Sequence, residues 1–157
     1  MIVLTEYIQL LMTADDYILE LYYDGVSQPV PTVRTHWRRP KVFALPAAAR
    51  WFAVKCGENG YASAGLLAAA AGDVLVTGER WKCTATLHDR WMDTDYDDSS
   101  WPPATVIRDN GVGKKGSIPE ISPRAKWIWT SRYRNNTADS PIYCRASIGR
   151  SRPAGRL

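Results

Sequence analysis

Sixteen acidic side chains run along a chain of 157 residues, and four of them crowd into one short stretch. Asp93, Asp95, Asp97 and Asp98 stand there with Tyr96, Ser99, Ser100, Trp101, Pro102 and Pro103. Glycoside hydrolysis needs two carboxyl groups at a defined separation, one of them with a raised pKa. Here the acids lie among hydroxyl residues in a hydrophilic segment, which favours their ionised form. The stretch therefore does not read as a catalytic pair. A second pair, Asp15 and Asp16, sits on a connection between two apolar runs. Adjacent aspartates on such a loop can offer carboxylate oxygens to calcium, although the sequence shows no complete set of oxygen ligands. The third constellation is His36-Trp37-Arg38-Arg39. An indole can stack on the C–H face of a pyranose while imidazole and guanidinium groups donate to its hydroxyls, and charged donors make the stronger hydrogen bonds. Tyr61 and Trp91 lie in predicted loops and are alternative stacking residues, with plain packing an equally good use for each.

Other chemistries are poorly represented. The chain has two histidines and three cysteines. It shows no Ser–His–Asp order, nucleophile elbow, phosphate-binding loop or metal-binding histidine pair. The reading is of a protein that is not an enzyme. The net charge of +4 is modest. Its basic residues are unevenly spread: Arg34, Arg38, Arg39 and Lys41 cluster early, and Arg145, Arg150, Arg152 and Arg156 cluster at the end. No nucleic-acid-binding motif accompanies them. No apolar run is long enough to span a bilayer, so membrane insertion is not expected. Seven Trp and eight Tyr against two Phe is the unusual feature of the composition. Both residue types join an apolar face to a polar edge, as sugar-binding surfaces require, and both also fill cores.

The elements that must position these residues read as strands. Alternation and β-branched or aromatic content predict strands over 5–12, 17–23, 41–45, 50–56, 81–84, 105–109, 125–130 and 142–148, while Val74 to Thr77 is short and apolar. Thr13 to Asp16 reads as a turn, and Asp24-Gly25 as a tight turn ending a strand. Trp127 and Trp129 alternate onto one face. Asn110 to Pro123, rich in Gly, Lys, Ser and Pro, reads as a mobile surface excursion. Local propensity makes Ala64 to Ala71 a helix, since Ala and Leu are strong helix formers. Many short strands with regular turn signals argue for an all-β sandwich of eight to ten strands. The length suits one domain over 1–149, followed by a basic, frayed tail over 150–157.

Four segments in order carry a family resemblance. They are Ala14-Asp15-Asp16 with Leu21-Tyr22-Tyr23-Asp24-Gly25, Ala53-Val54-Lys55-Cys56 with Ala64-Gly65-Leu66-Leu67-Ala68, Tyr96-Asp97-Asp98-Ser99-Ser100-Trp101, and Ala125-Lys126-Trp127-Ile128-Trp129 with Tyr143-Cys144-Arg145. Together they resemble galactose-binding-domain-like β-sandwiches, the jelly-roll modules found beside glycoside hydrolases and as free lectins. The resemblance implies an antiparallel jelly roll and turns Ala64 to Ala71 from helix to strand. It implies that Asp97 and Asp98 cap backbone N–H groups while Trp101 is buried. It also implies a lectin for galactose or a related pyranose, with His36, Trp37, Arg38, Arg39, Asp16, Tyr61 and Trp91 as the candidate contacts. No cofactor is implied beyond calcium at Asp15 and Asp16. The expected partner is a glycan, with an extracellular setting and a homodimer that gains avidity. The opening residues carry no basic region and do not read as a signal peptide. In an extracellular setting Asn135-Asn136-Thr137 is a glycosylation sequon, and one disulfide is expected, Cys83–Cys144 leading, with Cys56 left over. Two other classes stay open: a matrix or adhesion module that binds protein, and a polyanion binder working through its arginines.

Overall fold

Strand-forming sequence accounts for nearly all the regular structure in the computed structural model, which describes residues 6–31, 36–59, 63–113, 115–134 and 136–149. The strands in order are β1 (Tyr7–Asp15), β2 (Tyr17–Tyr23), β3 (Val26–Gln28), β4 (Lys41–Pro46), β5 (Trp51–Gly57), β6 (Gly65–Ala70), β7 (Lys82–Thr84), β8 (Thr105–Asp109), β9 (Lys126–Trp129) and β10 (Ile142–Ser147). They form two five-stranded sheets, ordered β4-β1-β6-β9-β8 and β3-β2-β5-β10-β7. Every pairing is antiparallel. Among the described residues the only helical element is a short 3₁₀ turn, Ala71–Asp73. The chain is all-β, and its two sheets enclose a common core, as in a β-sandwich.

The core follows from period-two alternation. Leu10, Met12 and Ala14 of β1 face Leu21 of β2 and Phe52, Val54 and Cys56 of β5, all in one buried cluster. Each fully buried Leu contributes roughly 1.5–3 kcal/mol. The Ala-rich segment is strand β6, with every residue buried. Leu66, Ala68 and Ala70 point into the central core, while Leu67 and Ala69 join Ile118, Ile121, Ala125 and Trp127 on the outer face. A strand paired on both edges and covered on both faces is apolar throughout, so the local helical preference is overridden by tertiary context. The Asp24-Gly25 turn has both residues at positive φ, 48° and 79°, as a tight hairpin requires.

Several sequence expectations change. The turn at Thr13 to Asp16 does not form as read. β1 continues to Asp15 because Thr13, Ala14 and Asp15 pair with Leu67, Leu66 and Gly65. The short apolar segment Val74 to Thr77 supplies an isolated bridge, Ala69 to Val76. Trp127 and Trp129 lie in different clusters, because Trp129 ends its strand and turns into the central core. There its indole N–H donates to the Asp139 carbonyl at 3.0 Å. The 110–123 segment is anchored rather than loose. Ile118 and Ile121 are buried, and the Asn110 amide donates to the carbonyls of Ile118 and Ile121 at 3.1 Å each. Cys83 and Cys144 lie opposite each other in the register of β7 and β10, and their sulfurs are bonded. Cys56 is a buried free thiol whose pKa is pushed up by burial.

Candidate functional site

One end of the β1 strand gathers most of the candidate residues. Thr13 is buried there, and its hydroxyl donates to the Trp37 carbonyl at 2.9 Å. This bond pins the turn that carries His36, Trp37, Arg38 and Arg39. The turn closes on itself through the Arg39 N–H, which donates to the His36 carbonyl at 2.8 Å. Trp37 is half-buried, while His36, Arg38 and Arg39 are exposed. The His36 ring lies nearly parallel to the indole, at 28°, with centroids 6.4 Å apart. The Arg38 guanidinium rests 4.8 Å from the centre of the Trp37 ring. Trp37 in turn stands edge-on to Trp127 of β9, at 75° and 6.4 Å.

Asp15 and Asp16 sit where the chain passes from one sheet to the other. Both are buried. Asp15 Oδ2 is bound by the Lys115 ammonium at 2.7 Å, and that ammonium lies 4.2 Å from the centre of the Trp37 ring. Burial raises the Asp15 pKa from its ordinary value. The neighbouring Asp16 carboxyl pushes the same way and Lys115 opposes both. Asp16 also accepts, at Oδ2, the Asn59 N–H at 3.0 Å. The donor set does not fit calcium, which takes six to eight oxygens. A lysine ammonium holds the position a cation would take. Among the described residues no group of three His, Cys, Asp or Glu side chains converges anywhere.

The remaining candidates disperse. Tyr61 lies outside the described residues. Trp91, expected to offer a stacking face from a loop, is 3 % exposed. The 88–103 segment folds over the outer face of the second sheet, and Trp91 becomes its plug. The indole meets Tyr22 at 5.6 Å and Tyr143 at 5.0 Å, both edge to face. It belongs to a separate cluster with Ala53, Trp101 and Tyr143. Within that segment Asp97 accepts the Ser99 N–H at 3.0 Å. The Ser99 hydroxyl and this N–H lower the Asp97 pKa. Among the described residues Asp98 caps no backbone N–H group and instead accepts from Lys82 at 3.1 Å and from Arg145 at 3.0 Å. Trp101 is buried, and its indole N–H donates to the Tyr96 hydroxyl at 3.1 Å.

Two residues escaped the sequence reading. Arg145, which by sequence belongs with the basic C-terminal cluster, is buried on β10. Its Nη1 donates to the carbonyls of Trp91 and Asp93, at 2.7 and 2.9 Å. The signal was present: an arginine inside an otherwise apolar strand must find partners, because a buried charge without them is prohibitive. Lys115 lay in a segment read as a mobile excursion, and nothing local marks it as the partner of Asp15. Comparison with known proteins gives no matching family model, no matching curated protein and no matching solved structure.

Proposed function

We propose that this chain is a non-catalytic carbohydrate-binding protein of galactose-binding-like, jelly-roll type. It takes galactose or a related pyranose at the 36–39 turn. The observation that carries this reading is the setting of Trp37. Its carbonyl is held by buried Thr13 and its ring edge meets Trp127, so the indole is preorganised next to the exposed donors His36, Arg38 and Arg39. A pyranose would lay its C–H face on the ring in place of the Arg38 guanidinium. That exposed side chain then swings onto a hydroxyl. The Lys115 ammonium on Asp15 supports a binding that needs no calcium. A disulfide-bonded sandwich suits an extracellular setting, and pairing of two chains would add avidity. The adjacent exposed arginines favour one rival, a polyanion site, which salt distinguishes.

The test is a broad glycan array probed with the wild type and with Trp37→Ala, at two salt concentrations, with and without a chelator. Binding of neutral glycans that resists salt and chelator and falls about tenfold or more in Trp37→Ala is the expected result. Silence across all glycans sinks the reading. A steep loss with salt transfers it to the polyanion class.

A further inference from the structure

Trp37 and Trp127 meet at close to a right angle and form two walls of a corner. The Lys115 ammonium fills that corner, 4.2 Å from one ring centre and 5.2 Å from the other. Asp15 Oδ2 closes it at 2.7 Å, and only 11 % of the Lys115 side chain is exposed. Aromatic faces plus a carboxylate, shielded from water, are the chemistry that recognises an organic ammonium group.

The walls and the occupant differ in how they are held. Asp15 ends β1 and pairs with Gly65 of β6. Trp127 is buried in β9 and lies against Gly65, where an added Cβ would fall 2.8 Å from the indole. Trp37 is fastened by Thr13. Lys115, in contrast, sits between Gly113 and Gly116, both at positive φ, 80° and 61°. The turn is closed by the Gly116 N–H donating to the Gly113 carbonyl at 3.1 Å. The base of the same loop is fixed independently by Asn110, Ile118 and Ile121. Withdrawing Lys115 therefore leaves the walls and the loop base in place.

We propose that Lys115 is an internal plug, and that this cage binds an external organic ammonium group in its place, namely the free amine of an unacetylated amino sugar. The amino-sugar identity rests on the carbohydrate-binding reading above; the ammonium chemistry rests on the cage alone. The exchange replaces like with like. The incoming amine regains the ion pair and both ring contacts, and the released lysine returns to water. Because the plug is tethered, it competes at high effective concentration and keeps wild-type affinity weak.

The experiment removes the plug. Wild type, Lys115→Met and the double variant Lys115→Met, Asp15→Asn are titrated with methylammonium, glucosamine and N-acetylglucosamine. Binding is read on the indole N–H signals of Trp37 and Trp127. Lys115→Met is expected to bind both cations about tenfold tighter than wild type. N-acetylglucosamine gains nothing, and the double variant loses the gain. Should Lys115→Met fail to fold, the wild type decides: saturating methylammonium must speed acylation of Lys115, located by mass spectrometry. No gain in the variant, or no change in that rate where the variant does not fold, overturns the cage. A gain for methylammonium without one for glucosamine upholds the cage and removes the amino sugar. That result leaves the glycan array to judge the carbohydrate reading separately.

Discussion

Arg145 reaches from β10 to Asp98 in the loop that covers its sheet, with Nε donating to Oδ2 at 3.0 Å from a side chain that has no exposed surface. The same guanidinium holds the carbonyls of Trp91 and Asp93 and lies 5.0 Å from the centre of the Trp51 ring. One cation thus ties the whole 91–98 segment to the sandwich.

Arg145→Ala is expected to destabilise the fold by about 3–5 kcal/mol, because it leaves Asp98 with Lys82 as its remaining cation and takes the guanidinium donor from the Trp91 and Asp93 carbonyls. Arg145→Lys should rescue little of this, since a single ammonium cannot span a carboxylate and separate carbonyls as the planar fork does. Urea unfolding of the three proteins is the measurement. A loss below about 1 kcal/mol for the alanine variant would refute the anchoring role.

The cysteines make a counting prediction. In the native, non-reduced protein no thiol should react, because Cys56 is fully buried and burial pushes its pKa up. Unfolding without reductant should reveal one thiol and unfolding with reductant all three. Cys83→Ala with Cys144→Ala should cost about 2–5 kcal/mol, by loosening the constraint on the unfolded chain. Three reactive thiols in the unreduced, unfolded protein would show that the bridge is absent.

Asp15 and Glu20 should give opposite pH dependences. Burial, with Asp16, raises Asp15, so its contribution is present below the unfolded aspartate value of about 3.9 and is lost as pH rises through the folded value. Glu20 behaves in reverse. Burial works to raise it, but the hydrogen bond from Tyr22 and the Lys55 ammonium together bring it below its usual value. Its contribution is present above the unfolded glutamate value of about 4.3 and is lost as pH falls through the folded one. Unfolding midpoints between about pH 3 and 7 test this. The wild type should lose ground to Asp15→Asn as pH rises, and to Glu20→Gln as pH falls. Parallel curves for either pair would contradict the corresponding shift.

Strand positions were legible in the sequence wherever the backbone period alone decides them. The alternation of β1, β2, β5 and β10 and the Asp24-Gly25 turn involve neighbours in the chain, as does the capping of the Ser99 N–H by Asp97. The His36 to Arg39 turn was legible as a cluster of suitable groups for the same reason. Tertiary structure decided what a local pattern cannot express. Ala64 to Ala70 contains good helix formers, and only the β1 and β9 neighbours with two apolar coverings make most of it a strand. Trp91 had the sequence context of a loop, but its segment lies against Tyr22 and Tyr143 and loses its solvent. Lys115 and Asp15 stand 100 residues apart, and Arg145 and Asp98 stand 47 apart. Such pairs meet because of strand order, which is settled by the sum of all long-range pairings and core burial. A buried charge then takes whichever partner that order places within reach.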